Sequence, residues 1–225
     1  MKEELERTVL LFGDCAVENL KKSHVAVFGL GGVGGHTVDA LARAGVGKLS
    51  LVDGDTVSLS NINRQLIALH STVGNFKGDA FKTRIADINP DCEVTVKNEF
   101  FAEDSYSFFD FSGFDYVVDA IDSVRDKVEL ICRVKAAGVP IISAMGAGNK
   151  VDPTRFEVSD IYKTSVCPLA KAVRTALRQR GIDSLKVVYS KEEPYKTGSV
   201  VGSNSFTPSV MGLIMAGEVI KDLIK

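Results

Sequence analysis

A glycine-rich turn followed by an acidic residue is the first feature that could bind a ligand. The run Gly29-Leu30-Gly31-Gly32-Val33-Gly34 follows a short β-branched stretch and precedes a segment with helical spacing. This G-x-G-x-x-G spacing is typical of a phosphate-binding turn, because backbone N–H groups and the positive end of the helix dipole favour an anion. Asp53 follows about 20 residues later, where a carboxylate can accept hydrogen bonds from ribose hydroxyls. The pattern predicts a nucleotide site that fits NAD and ATP equally, with an unliganded turn as the alternative.

Positive side chains further along the chain favour ATP over NAD. Arg64 and Lys77 follow the second apolar run, and Asn61 adds a neutral hydrogen-bond donor. A nucleoside triphosphate carries about four negative charges, so transfer of its AMP group requires groups that stabilise charge on the α-phosphate and on the departing pyrophosphate. An NAD site needs few cations. These residues therefore predict an ATP site and an adenylation reaction.

The same stretch carries a recognisable signature. From Asp53 to Gln65 it reads D-x-D-x-V-x-x-S-N-x-x-R-Q, and it is followed by V-G-x-x-K, which ends at Lys77. It resembles the signature of the ThiF/MoeB/HesA and ubiquitin-activating enzymes, which adenylate a carboxylate. The ATP-binding set that this resemblance implies is Gly29, Gly31, Gly32, Gly34, Asp53, Asp55, Asn61, Arg64, Gln65, Lys77 and Asp122.

The resemblance also implies roles for individual members of this set. By it, Asp53 holds the ribose and Asp122 positions Mg²⁺. The phosphates are met by Asn61, Arg64 and Lys77. Because Asp122 precedes a helical segment, a helix cap is its structural alternative.

Arg7, near the N-terminus, is a further catalytic candidate. It matches an arginine that in MoeB-like dimers reaches into the ATP site of the neighbouring subunit. The resemblance therefore implies a homodimer in which Arg7 acts in trans, and it completes a catalytic set with Arg64, Lys77 and Asp122. The alternative is a solvated surface arginine.

The cysteines and the second half of the chain bear on which carboxylate is activated. Members that act on ubiquitin-like proteins typically carry paired C-x-x-C zinc motifs, whereas the cysteines here are far apart, at positions 15, 92, 132 and 167. The whole chain instead resembles the bacterial tRNA threonylcarbamoyladenosine dehydratases. The segments that carry this resemblance are Leu11-Phe-Gly13, Val118 to Val124, Gly146-Ala-Gly148, Val151-Asp-Pro-Thr154 and Pro168-Leu-Ala170.

The resemblance to the dehydratases implies a reaction and its partners. The threonyl carboxylate of threonylcarbamoyladenosine in tRNA is adenylated by ATP, and the modification's own nucleophile then closes a ring and releases AMP. One alternative is adenylation of the C-terminus of a ubiquitin-like or sulfur-carrier protein, and another is an NAD-binding or non-catalytic Rossmann module. The resemblance leaves open whether a monovalent cation assists the reaction and whether a sulfur-transfer protein is a partner.

Basic residues in the second half form a candidate tRNA face. Lys171, Arg174 and Arg178 stand at i, i+3 and i+7 of a helical segment and share one face, although a solvated helix surface would have the same spacing. Cys167 is a candidate acyl acceptor by analogy with ubiquitin-activating enzymes. None of the histidines has an acid or cysteine partner at motif spacing, so structural roles are expected for His24, His36 and His70.

Alternating strands and helices must position these groups. Strands are predicted over His24 to Leu30, Lys48 to Val52, Glu93 to Lys97, Tyr116 to Ile121, Val139 to Ala144 and Leu185 to Ser190. Helices are predicted over Val33 to Ala44, Phe76 to Ile88, Asp126 to Ala137 and Pro168 to Arg180. The pattern predicts an α/β fold: a Rossmann-like, doubly wound, mostly parallel sheet with helices on both faces. The family resemblance adds a C-terminal extension of the ThiF/MoeB type.

The length and composition of the chain bear on the number of domains and on possible contact with nucleic acid. With 225 residues, 45% of them hydrophobic, one adenylation domain over residues 1–225 is expected, with a nucleotide-binding half over about 1–145 and a substrate-facing half over about 146–225. A net charge of −2 means that nucleic-acid contact needs a local basic patch.

The termini and the cysteines bear on location. The scattered cysteines, the charged N-terminus and the lack of a spanning segment predict a cytoplasmic protein without a transmembrane segment. Met211 to Ile224 reads as an amphipathic helix on the core, with peripheral membrane contact left open, and Glu192 to Ser205 reads as a mobile loop.

Overall fold

One seven-stranded sheet forms the centre of the computed structural model, which describes residues 3–225. Its strands are β1 (His24–Phe28), β2 (Lys48–Val52), β3 (Glu93–Lys97), β4 (Tyr116–Asp119), β5 (Ile141–Ala144), β6 (Phe156–Asp160) and β7 (Lys186–Ser190). They lie in the order β3-β2-β1-β4-β5-β7-β6, and all neighbours pair in parallel except β6 with β7. The predicted mostly parallel, doubly wound sheet is confirmed.

Helices cover both faces of this sheet. The described residues form α1 (Glu6–Phe12), α2 (Asp14–Lys22), α3 (Gly34–Arg43), α4 (Lys77–Ile88), α5 (Val124–Ala136), α6 (Pro168–Gln179) and α7 (Thr207–Leu223). Side chains alternate along β1, so that Val25 and Val27 join the apolar cluster with α3, α4 and α7, while Ala26 and Phe28 join the cluster with α5 and α6. Burial on both faces explains why the central parallel strands β1, β4 and β5 are mostly apolar.

The C-terminal helix α7 belongs to this core. It packs against α3 so closely that a Cβ at Gly212 would lie 2.3 Å from the carbonyl oxygen of Val33. Near its end, Asp222 accepts hydrogen bonds from Lys186 at 2.5 Å and from the Tyr116 hydroxyl at 2.9 Å. Within residues 3–225, no helix is long and apolar enough to cross a membrane. The helix expected from Met211 therefore exists, but it begins four residues earlier, at Thr207.

Asp222 has a perturbed acidity. Burial alone would raise its pKa, but hydrogen bonds from Lys186, Lys225 and Tyr116 outweigh burial and lower the pKa of Asp222 to about 2. The charged carboxylate therefore stabilises the fold above its ordinary pKa.

Three elements differ from the sequence expectation. The helices α1 and α2 and the strand β6 were not predicted. Three of the five residues of the edge strand β6 are polar, namely Glu157, Ser159 and Asp160, so its pattern resembles a loop more than a buried strand. The first strand ends at Phe28 because Gly29 turns the chain with a φ of 87°.

Candidate active site

A cleft of about 900 Å³ opens at the carboxyl ends of the parallel strands. It lies at β1 and β4, where the strand order changes direction, which is the usual ligand site of an open α/β sheet. Its volume is large enough for a nucleotide and part of a second substrate. The predicted ATP-site residues that line it are Gly29, Gly31, Gly32, Asp53, Asp55, Asn61, Arg64, Gln65, Lys77 and Asp122.

Two glycines of the turn after β1 have no room for a side chain. A Cβ at Gly29 would lie 2.6 Å from the Ala120 carbonyl oxygen, and a Cβ at Gly34 would lie 1.8 Å from the Gly29 oxygen. Gly31 is different, since the nearest described atom to its Cβ position, on Gln65, is 3.9 Å away. Gly29 and Gly34 therefore close the turn, while Gly31 keeps the backbone open to a ligand at the start of α3.

Asp53 ties this turn to the end of β2. Its carboxylate accepts hydrogen bonds from the Leu30 N–H at 2.6 Å and from the Asp55 N–H at 2.8 Å. The residue is 8% exposed, and burial raises the pKa of Asp53 despite the opposing effect of Lys77. Its place in the cleft fits the expected ribose contact, which stays a prediction.

Lys77 brings a buried positive charge to the cleft. It is 4% exposed, and its Nζ lies 2.7 Å from Asp55 Oδ2 and 3.8 Å from Asp53 Oδ1. As the first residue of α4 it stands at the positive end of a helix dipole, which is an unfavourable place for a cation. The two carboxylates compensate for this cost and hold the ammonium group beside the glycine turn.

Arg64 supplies a second cation on the same side. It follows the short 3₁₀ turn Leu59–Asn61, and its guanidinium donates to Ser60 O and to Asn63 Oδ1, each at 2.9 Å. No described carboxylate forms a salt bridge with it, so its charge is free to meet phosphate oxygens. Asn61 closes that turn, because its Oδ1 accepts a hydrogen bond from the Ser58 N–H at 3.1 Å.

Gln65 carries an unsatisfied acceptor. The residue is 7% exposed and lines the cleft, and its Oε1 has no hydrogen-bond partner among the described residues. A buried amide oxygen without a donor costs free energy. An N–H or O–H group of a bound ligand would remove that cost.

Asp122 follows β4, which flanks β1 on the side away from β2 and Asp53, and it lines the cleft. Within residues 3–225 its carboxylate has no hydrogen-bond or ion-pair partner. The cap of α5 is Ser123, whose side chain accepts from the Asp126 N–H, so the helix-cap interpretation of Asp122 is wrong. No group of three or more His, Cys, Asp or Glu in the described part of the chain could hold a metal. A divalent ion at Asp122 would therefore take most of its ligands from phosphate and water, as Mg²⁺ commonly does.

A buried ionic network lies at the end of β4, next to the turn that leads to Asp122. It was not predicted from the sequence. Lys127 of α5 and Asp119 at the end of β4 are both fully buried, with Nζ 2.8 Å from Oδ2. Ser143 Oγ lies 2.5 Å from the same carboxylate oxygen, and Asp119 Oδ1 accepts from the Ile121 N–H at 3.1 Å. The network supports the turn that leads to Asp122. The available signal was a lysine on the apolar face of a predicted helix.

The expected tRNA-facing residues do not form one free basic stripe. Lys171 and Arg178 are exposed, and the Arg178 guanidinium lies 5.4 Å from the centre of the Tyr162 ring. The Arg174 guanidinium instead donates to Thr164 Oγ1 at 2.6 Å and to Thr164 O at 3.1 Å. Through Nη1, Arg174 therefore links α6 to the connection before it, and it is less free than Lys171 and Arg178 to contact a partner.

The local positive charge is also smaller than the sequence suggests. Lys186 pairs with Glu218 and Asp222 of α7, and Lys191 pairs with Glu157 of β6. These acidic partners lie outside residues 163–196, where basic residues outnumber acidic ones, so a charge count within that range misses them.

The remaining candidates lie apart from the cleft lining. Arg7 is exposed on α1, beside Leu10 and Leu11, which are 86% and 74% exposed. Cys167 is buried at the start of α6, within the apolar cluster of α5 and α6. His24 and His36 are hydrogen-bonded within the fold, to Ser50 Oγ and to Gly32 O, and His70 is exposed.

The ThiF family profile matches residues 5–225. The tRNA threonylcarbamoyladenosine dehydratase of Bacillus subtilis is 46% identical over 100% of this chain and 96% of its own length. The protein of the same name from Escherichia coli is 41% identical over 76% of this chain and 64% of its own length. A crystal structure of E. coli tRNA N6-threonylcarbamoyladenosine dehydratase in complex with ATP matches with a TM-score of 0.94 and 34% identity, covering 99% of this chain and 94% of that one.

Proposed function

The chain belongs to the ThiF family, and we propose that it is an ATP-dependent tRNA threonylcarbamoyladenosine dehydratase. The observation that carries this proposal is the cleft itself, in which the cations Arg64 and Lys77 meet the glycine turn at the ends of β1 and β4. Similarity to dehydratases over nearly the full chain supplies the substrate class.

The cleft residues divide the work of holding ATP. The turn from Gly29 to Gly34 presents backbone N–H groups to the phosphates at the start of α3, and Asp53 accepts from the ribose. Arg64 and Lys77 balance the charge of the triphosphate. Asp122, which lacks a partner in the described structure, is the residue that would hold Mg²⁺ when ATP is bound. The ion supplies charge neutralisation on the phosphates.

The first chemical step joins the substrate carboxylate to AMP. A carboxylate oxygen of the threonyl group attacks the α-phosphorus, and the bond from that phosphorus to the pyrophosphate oxygen breaks. Negative charge grows on the departing pyrophosphate, so preorganised cations stabilise this transition state more than the ground state. The product is an acyl-adenylate, whose leaving group is AMP.

Ring closure needs no nucleophile from the protein. A nucleophilic atom of the carbamoyl group attacks the activated carbonyl, loses its proton and expels AMP, and the net result is loss of one water. Both reacting groups are on one modified base, so closure has the large advantage of an intramolecular reaction. The burial of Cys167 away from the cleft lining agrees with a route without a thioester.

The proposal includes a homodimer and a tRNA face. The helix α1 exposes Leu10 and Leu11 next to Arg7, and an apolar surface of this kind favours a partner subunit. In such a dimer Arg7 acts in trans at the neighbouring cleft. Lys171 and Arg178 are the exposed cations on α6 that can contact tRNA phosphates. The enzyme works in the cytoplasm, where its tRNA substrate is.

Mass spectrometry of nuclease-digested tRNA tests the proposed function. Purified chain, tRNA carrying threonylcarbamoyladenosine, ATP and Mg²⁺ should yield a nucleoside lighter by one water, and omission of ATP should abolish it. The competing function would instead show pyrophosphate exchange that depends on a small protein ending in Gly-Gly, with tRNA inert. That second pattern would refute the dehydratase assignment.

A further inference from the structure

Two groups of cleft-lining residues follow strands on opposite sides of the sheet centre. After β1 and β2 come the glycine turn, Asp53 and the cations. After β5 and β7 come Gly148 and three residues of the long connection to α7, namely Val200, Val201 and Ser203. In an open parallel sheet the nucleotide lies beside the glycine turn. The second group therefore faces the acceptor, the molecule whose carboxylate is adenylated.

One residue, Asn149, holds the connection in this position. Its N–H donates to Gly202 O at 2.8 Å, and its carbonyl oxygen accepts from the Tyr195 N–H at 2.7 Å. Its side-chain Oδ1 accepts from the Gly202 N–H at 2.5 Å and lies 2.9 Å from the Thr197 hydroxyl. Four contacts from a single residue thus reach segment 195–203, which contains no helix or strand of its own.

The backbone of Asn149 has an uncommon conformation. Its φ is 56°, in the left-handed region that asparagine tolerates better than most residues. This conformation allows both the backbone and the amide of Asn149 to meet segment 195–203. An unusual backbone conformation that makes four contacts beside a cleft is a reason to look for a functional role.

Segment 195–203 brings apolar surface to the mouth of the cleft. Val201 lies directly on Gly148, where an added Cβ would be 2.3 Å from Val201 Cγ1. Val200 and Val201 are nevertheless 75% and 68% exposed, and both line the cleft. Exposed apolar side chains around a polar cleft suit the flat face of a nucleobase.

The segment is also connected to the phosphate-binding side. Asn63 Nδ2 donates to Ser203 O at 3.2 Å, while Asn63 Oδ1 accepts from Arg64 Nη1 at 2.9 Å. One side chain thus joins segment 195–203 to a cation of the ATP site. Segment 195–203 is therefore held from two sides, by Asn149 and by Asn63.

We propose that Asn149 is a positioning residue that holds segment 195–203 so that Val200 and Val201 contact the modified adenine of the tRNA. Asn149 does not itself line the cleft and acts through the segment. The inference rests on the proposed function, since the acceptor is tRNA carrying threonylcarbamoyladenosine. It assigns acceptor recognition to the second group of cleft residues and leaves ATP binding to the first.

Two variants of Asn149 separate its side-chain contacts from its backbone conformation. Asn149→Gly keeps the left-handed φ but removes Oδ1, whereas Asn149→Asp keeps an acceptor at Oδ1. For Asn149→Gly we expect KM for the modified tRNA to rise about tenfold, kcat to change less than about threefold, and the Kd of ATP to stay the same. Asn149→Asp should restore KM to within about twofold of the wild type.

A second set of variants tests the apolar contacts without touching Asn149. The double variant Val200→Ala with Val201→Ala should also raise KM for tRNA and leave the Kd of ATP unchanged. Val158→Ala is the matched control, since Val158 is 40% exposed on the edge strand β6 and does not line the cleft. This set gives a result even if Asn149→Gly fails to fold.

The outcomes distinguish this inference from the proposed function. If the wild-type protein does not convert the modified tRNA, both the proposed function and the inference are refuted. With active wild-type enzyme, an unchanged KM in Asn149→Gly or in the double valine variant would overturn the inference alone. Weaker ATP binding in these variants, or an Asn149→Asp variant as impaired as Asn149→Gly, would also overturn it.

Discussion

Replacing Lys127 by methionine is expected to destabilise the folded chain by about 3 to 5 kcal/mol. Lys127 and Asp119 are both 0% exposed, and the 2.8 Å ion pair between them is the main compensation for burying the carboxylate. Methionine is apolar and of similar length, so the loss arises mainly from the uncompensated charge and little from a cavity. The hydrogen bond from Ser143 remains but cannot replace a cation.

Urea unfolding followed by far-UV circular dichroism measures this loss. For a chain of this length, 1 kcal/mol corresponds to about 2–4 °C, so the melting temperature should also fall by roughly 6–20 °C. Lys82→Met is the matched control, because Lys82 is exposed on α4, and it should change the free energy of unfolding by less than about 0.5 kcal/mol.

A double-mutant cycle on Lys127 and Asp119 can refute this account, because it measures the coupling energy between the two side chains. Asp119→Asn removes the charge that needs compensation, so the double variant should be more stable than the sum of the single losses predicts, by at least about 1 kcal/mol. Additive losses, or a loss below about 1 kcal/mol for Lys127→Met, would show that the buried charges do not depend on each other as described.

Three further predictions concern the cleft and the C-terminal helix. Arg64→Ala removes a cation without a carboxylate partner, so isothermal titration should show ATP affinity weakened by about tenfold or more with an unchanged melting temperature; unchanged affinity would contradict its phosphate role. Asp122→Asn should raise the Mg²⁺ concentration needed for half-maximal adenylation, and an unchanged Mg²⁺ dependence would place the metal elsewhere. The lowered pKa of Asp222, about 2 against a usual 3.8, means that its contribution is present above about pH 4 and is lost as pH falls towards 2. Asp222→Asn should therefore lower stability at pH 7 by about 2 kcal/mol and flatten the acid limb of the stability curve; a curve that matches the wild type would exclude this role.

Elements with a single strong signal could be predicted from the sequence. The strands Lys48–Val52 and Glu93–Lys97 have the predicted bounds, because both are short runs in which polar and apolar residues mostly alternate, bounded by Gly, Pro, Asn or Asp. The strand Phe156–Asp160 could not be found in this way, since an edge strand carries polar residues and its partner Lys186–Ser190 lies far along the chain. Pairing over such distances is a property of the fold and leaves no local pattern.

In the candidate active site too, residues with a local sequence signal could be predicted, whereas residues that act through distant contacts could not. Sequence spacing brings Arg64 and Lys77 into the cleft, since both follow β2 at fixed distances from the turn. The role of Asn149 depends on contacts 46 to 53 residues away, and no local pattern reports them. Arg174 has the right helical spacing for a phosphate contact, but its Nη1 is bonded to Thr164 in the folded chain, which the spacing alone does not show.

Transfer of an oxygen isotope tests the central claim most directly. The modified tRNA is prepared with ¹⁸O in both oxygens of the threonyl carboxylate and converted with unlabelled ATP. An acyl-adenylate joins one labelled oxygen to the α-phosphorus, and ring closure then breaks the bond between that oxygen and the acyl carbon. One ¹⁸O should therefore appear in AMP for each cyclic product formed. Label in inorganic phosphate, or AMP without label, would contradict adenylation of the carboxylate in this cleft.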